Sequence, residues 1–132
     1  MNDASKLIVW QKSLDLADKI YSITEKFPRQ EVYGLSSQMQ RAAVLIGSNI
    51  AEGAGRNSPR EFKQFLGFFC GSASELRFQI ELSQRRNYIS EEQKAELVNY
   101  VDSILRMNFK LQSRIKEIIG DRSDRKYPGN AS

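Results

Sequence analysis

The sequence predicts an all-α fold, an up-down-up-down antiparallel four-helix bundle. Three observations carry this. Four stretches repeat apolar residues at steps of three and four, no stretch alternates long enough to argue for a strand, and the connections between stretches are short. A chain of 132 residues, 40% hydrophobic and 27% charged, suits one soluble domain with a single core.

The first helix sets Leu7, Trp10, Leu14, Ala17, Tyr21 and Thr24 in one row, with Leu16, Ile20, Ile23 and Phe27 in a second row beside it. Pro28 closes it, because proline disfavours helical backbone in the residue before it. After a short connection from Arg29 to Leu35, Ser36 or Ser37 is expected to cap the second helix, whose row is Met39, Ala42, Ala43, Ile46, Ile50 and Gly53. The third helix has the clearest start. Ser58-Pro59-Arg60-Glu61 combines an N-cap, a first-turn proline and a capping-box glutamate, and Phe62, Leu66, Phe69, Ala73, Leu76 and Ile80 follow in steps of four and three. Its end is expected near Arg85-Arg86-Asn87, where cations suit the negative helix terminus.

Ser90-Glu91-Glu92-Gln93 opens the fourth helix with a second capping box. Its seam is Leu97, Val101, Ile104, Asn108, Leu111, Ile115 and Ile118, a heptad row interrupted once by Asn108, which would fix register. Gly120 is the expected stop. The domain therefore covers residues 1–120, and 121–132 read as a flexible polar tail. No internal repeat and no second domain are visible.

Composition excludes much chemistry. The chain has no histidine, so Ser-His-Asp and Cys-His catalysis, histidine-ligated zinc and Glu-x-x-His di-iron sites are out of reach. Cys70 stands alone; no internal disulfide forms, and a buried, inert thiol is expected. No run of about 18 apolar residues exists to span a membrane. The opening residues lack the blocks of a signal peptide, so a cytoplasmic location is expected. No nucleophile–base pair, metal set or cofactor motif can be assembled. The chain is read as a non-enzyme.

The most distinctive stretch is Gly47-Ser48-Asn49-Ile50-Ala51-Glu52-Gly53-Ala54-Gly55-Arg56, which sets Asn49 and Glu52 among apolar neighbours and ends in glycines. Together with Val9-Trp10-Gln11-Lys12, Phe27-Pro28, Tyr33-Gly34-Leu35, Gln38-Met39-Gln40-Arg41-Ala42-Ala43, Phe62-Lys63-Gln64-Phe65-Leu66, Gly71-Ser72 and Glu75-Leu76, it resembles the four-helix proteins encoded in intervening sequences of bacterial 23S rRNA genes, also called S23. Gly47 stands where that family often has proline, and Arg77-Phe78 where Glu-Thr is usual. The resemblance implies an all-helical protein that assembles with itself, typically as a pentamer, without established enzymatic activity. It also marks Arg41, Asn49, Glu52, Gly53, Arg56 and Glu75 as signature positions with a structural role. Accessory proteins of diversity-generating retroelements resemble the family in fold and bind nucleic acid through basic surfaces.

If the second and third helices turn near residues 57–58, Arg41 lies opposite Ser74 and Glu75, which predicts an Arg41–Glu75 ion pair, with Asn49 and Glu52 capping or bridging neighbours. Glu52 and Glu75 would then stand some 20 Å apart or more, too far to cooperate as catalytic carboxylates. Gly53-Ala54-Gly55-Arg56 lacks the lysine and preceding strand of a phosphate-binding loop and reads as a tight helix end. Trp10 is expected in the core. Phe65, Phe68, Phe78 and Leu82 lie off the third helix's main row and are candidates for an oligomer interface.

Net charge is +4, but the bundle would gather eleven cations against five carboxylates at the end formed by residues 1–12, 56–63 and 110–132. Lys12, Arg56, Arg60, Lys63, Arg114, Arg122, Arg125 and Lys126 are the candidates for contacting nucleic-acid phosphates there. The alternative is an oligomeric protein-interaction scaffold without a nucleic-acid role.

Overall fold

The computed structural model describes residues 7–126, with side chains described for 7–120. Four helices follow in order: α1 (Ile8–Thr24), α2 (Leu35–Ala54), α3 (Pro59–Arg85) and α4 (Glu91–Lys126), with a single 3₁₀ turn at Arg29–Glu31 between α1 and α2. Each helix packs on its chain neighbour, and α4 closes against α1; the diagonal pairs do not meet. This is the up-down-up-down arrangement. The α2–α3 contact is the most extensive and the α1–α4 contact the leanest.

Both serines cap as expected, and the second forms the full reciprocal box. The Ser58 hydroxyl accepts the Glu61 amide, and at α4 the Ser90 hydroxyl accepts the Gln93 amide while the Gln93 side chain accepts the Ser90 amide. Between them, α3 ends in a Schellman arrangement: Asn87 N–H donates to Gln84 C=O and Tyr88 N–H to Ser83 C=O. Asn87 takes the left-handed backbone this needs (φ 62°), which asparagine tolerates better than most residues.

The entry to α2 is built differently from expectation. Neither Ser36 nor Ser37 caps it; Ser36 is buried, and α2 already begins at Leu35. The Glu31 carboxylate accepts the Leu35 amide at 3.1 Å with one oxygen and the Tyr88 hydroxyl at 2.8 Å with the other. One carboxylate thus ties the α1–α2 link to the α3–α4 link, beside the Phe27–Tyr88 ring contact. The Tyr88 hydroxyl, and after it the Leu35 amide, hold the Glu31 carboxyl below the ordinary glutamate range. A group whose folded pKa is depressed stabilises above its unfolded pKa and loses that contribution as pH falls through the folded one. The stability gap between the wild type and Glu31→Gln is therefore expected to close as urea denaturation is repeated from about pH 7 down to about pH 3. A gap that stays constant would remove Glu31 from this role.

The core is a column of fully buried Leu16, Ile20, Met39, Ile46, Ile50, Leu66, Phe69, Leu76, Ile80, Val101 and Ile104. On α1 the buried row is Val9, Ser13, Leu16, Ile20 and Thr24, so Leu14 and Tyr21 of the other apolar row stay exposed and Trp10 is only partly buried. Ser13 and Thr24 enter the core because each hydroxyl donates to the carbonyl four residues back, at 2.7 Å in both cases. Asn108 is fully buried in the α4 seam. Its amide donates to Leu66 C=O at 3.1 Å, and its Oδ1 accepts from Gln112, which also reaches Cys70 Sγ. Toward its end α4 departs from expectation twice. Ile118 is exposed, and the helix continues through Gly120 to Lys126, since one glycine costs a helix only about 1 kcal/mol. Residues 127–132 of the expected tail lie outside the described residues.

Candidate nucleic-acid interface

The Ser58–Pro59 start fixes the first turn of α3 at the end of the bundle where α4 finishes. Ile119 of α4 lies against Asn57, Ser58, Pro59 and Arg60. Between the two helices runs a groove of about 640 Å³ in which Arg60, Lys63 and Lys116 meet Gln64, Gly67 and Gln112. On the other side of α4, Lys110 and Arg114 border a second hollow with Leu7 and Ile8 of α1. Arg60 and Arg114, distant in the chain, therefore share one end of the molecule.

The candidate cations differ in how they are held. Arg56 is engaged within the protein, 2.8 Å from Glu52 and 3.9 Å from Glu61, with its guanidinium 5.2 Å from the Phe65 ring centre. Lys12 lies 5.5 Å from the Tyr100 ring centre. The side chains of Arg122, Arg125 and Lys126 lie outside the described residues. The other ion pairs among the described residues, Lys19–Glu96, Arg77–Asp102 and Lys94 with Glu81 and Glu91, sit further along the bundle. None of them includes Lys63 or Lys116, so both ammonium groups face the same groove without a carboxylate partner among the described residues. Two like charges in one hollow attract an anion. Lys116, which the sequence places only in the count of basic residues at this end, is one of the groove's cations.

The signature positions divide. Gly53 is buried where α2 meets α3, and a β-carbon there would stand 2.8 Å from Phe65 Cβ and 2.9 Å from Phe62 Cδ1. Asn49 donates to Leu45 C=O of its own helix, and Glu52 binds Arg56 four residues on. Neither lies in the apolar stripe itself. The expected Arg41–Glu75 ion pair does not form: Glu75 accepts from Gln79 on its own helix. The reason is register, for Met39 meets Ser83, which leaves Glu75 nearly two helical turns away from the position opposite Arg41. Of the interface candidates, Phe65 is half-buried and packs edge-on against Phe68, while Phe68, Phe78 and Leu82 are exposed. A separate groove of about 240 Å³, lined by Trp10, Leu14, Ala43, Val44 and Gly47, runs between α1 and α2.

Little in the geometry points to catalysis. Among the described residues no three His, Cys, Asp or Glu side chains gather as a metal site would require. Burial pushes the Cys70 thiol above its ordinary pKa, the reverse of an activated nucleophile. Among the described residues no helix is long and apolar enough to cross a membrane.

The family model described as 23S rRNA-intervening sequence protein matches residues 5–110. A crystal structure of a protein of unknown function from the S23 ribosomal protein family of Bacteroides thetaiotaomicron VPI-5482 is similar, with a TM-score of 0.75 and 27% identity over 80% of this chain and 96% of that one. No curated protein matches the chain.

Proposed function

This chain belongs to the 23S rRNA-intervening sequence protein family, and on that premise we propose that it is a non-enzymatic homo-oligomer that holds nucleic acid by its phosphates through the basic end of the bundle. The observation that carries this reading is the convergence of Arg60 and Lys63 from the start of α3 with Lys116 from late α4 on one groove. Cations brought together from distant parts of a chain, Lys63 and Lys116 among them without a carboxylate partner among the described residues, are the electrostatic footprint of a phosphate ligand. Exposed Phe68, Phe78 and Leu82 on α3 supply apolar surface for contact between copies. The family resemblance implies a pentamer. A ring would repeat the basic end around its axis and strengthen its field.

A filter-binding salt titration with a mixed-sequence RNA tests the reading. The logarithm of the affinity is expected to fall linearly with the logarithm of salt concentration. Reversing Arg60, Lys63 and Lys116 to glutamate is expected to abolish binding while sedimentation still reports the wild-type assembly. Absent or salt-independent binding by the wild type would remove the nucleic-acid role. It would favour the second reading, a protein-interaction scaffold, to which the apolar α1–α2 groove and the exposed α3 aromatics also point.

A further inference from the structure

Resting on that reading, we infer that the α3–α4 groove takes a single strand, with a base stacked on Phe109 and phosphates held by Arg60, Lys63 and Lys116. The residues along the groove favour a strand over a duplex. α3 and α4 run antiparallel in a register where Cys70 meets Asn108 and Gln112, and Arg77 meets Asp102. Phe109 precedes Gln112 by three residues and Lys116 by seven, so all three lie along the flank of α4 that turns to α3. The Phe109 ring is 57% exposed and stands roughly 10 Å along the helix from Lys116.

α3 contributes Gly67 to the groove, with Gly71 one turn further on, and a β-carbon at either would meet nothing within 4 Å. The space beside these glycines is therefore open, and exposed Phe109 lies beyond the groove's lining on the same flank of α4 as Gln112 and Lys116. Gln64 and Gln112 line the cationic part of the groove; the Gln64 amide, and the Gln112 side-chain oxygen whose nitrogen is held by Asn108 and Cys70, can bond base edges or a ribose hydroxyl. A paired base hides its face in the stack, whereas an unpaired one offers it to an aromatic. Cations for the backbone, an aromatic ring for a base and side-chain-free space between them are the parts a single-strand site combines.

Fluorescence anisotropy on the full chain, with a labelled single-stranded 12-mer RNA, the same sequence as DNA and the corresponding duplexes, tests this. Both single strands are expected to bind at least ten-fold more tightly than their duplexes. Phe109→Ala is expected to weaken single-strand binding about five-fold or more with the salt slope unchanged, since stacking is not ionic. Phe109→Tyr should restore it. Lys63→Ala and Lys116→Ala should each lower the slope by about 0.7. Salt-dependent binding with equal affinity for duplex, indifferent to Phe109→Ala, would overturn the groove inference and leave the nucleic-acid reading standing. No binding to any oligonucleotide would remove both. A poly-glutamate peptide that displaced RNA at equal charge would instead assign the groove to an acidic protein partner and overturn the inference.

Discussion

Replacing Phe69 with alanine is expected to destabilise the fold by about 3–5 kcal/mol, whereas the same change one residue earlier, at Phe68, should alter the folded subunit by no more than about 0.5 kcal/mol. The two phenylalanines are chain neighbours with the same chemistry. Helical geometry alone separates them: Phe69 is fully buried in the column formed with Leu66, Ala73 and Leu76, and Phe68 is 51% exposed. Deleting the Phe69 ring loses its transfer energy and leaves a cavity in a packed core that relaxes only partly. Urea denaturation of both variants at matched protein concentration reads the difference. If copies cover Phe68, the small cost of Phe68→Ala should shrink on dilution, while that of Phe69→Ala persists. Equal losses at every concentration would mean the assigned face of α3 is wrong.

The second large effect is at Gly53. Alanine there gains about 1 kcal/mol of helix propensity, yet its methyl group would press on Phe65 Cβ at 2.8 Å and Phe62 Cδ1 at 2.9 Å. Cβ of Phe65 is anchored to the backbone and cannot swing aside, so α2 and α3 must move apart locally. The expected outcome is a net loss of about 1–3 kcal/mol. Gly71→Ala provides the contrast. It sits in an exposed helical position with nothing within 4 Å of the new methyl, and should gain about 0.5–1 kcal/mol. Thermal unfolding of the pair should therefore move Tm in opposite directions. A stabilised Gly53→Ala would show that the interhelical contact is looser than described.

Much of the fold was legible in the sequence because its signals are local. Ser58 and Ser90 announce α3 and α4 through hydrogen bonds made within four residues, and no distant element is needed to read them. The α1 row was harder. Two apolar rows lie side by side there, and the buried set takes Leu16 and Ile20 from one, Thr24 from the other, and adds Val9 and Ser13; the Ser13 and Thr24 hydroxyls are satisfied by their own helix and so carry no penalty that a hydropathy pattern would register. The α2 start escaped because its cap, Glu31, acts across a turn, and its second partner, Tyr88, lies 57 residues away. Arg41 and Glu75 fail to pair for the same kind of reason: sequence gives the order of helices, but their offset is set by side-chain packing such as Met39 on Ser83. The basic end could be anticipated from chain topology. The groove within it could not, since it depends on Gly67, Gln112 and Lys116 arriving side by side from two helices.

The slender joint between α1 and α4 has a kinetic meaning. It is fastened at its middle by polar groups, Lys19 on Glu96 and the Tyr100 hydroxyl on Asp15, across chain separations of 77 and 85 residues. Closing so long a loop is repaid only after the α2–α3 hairpin exists, so α1 and α4 are expected to dock last, and hydrogen exchange should release the amides of α1 before those of α2 and α3.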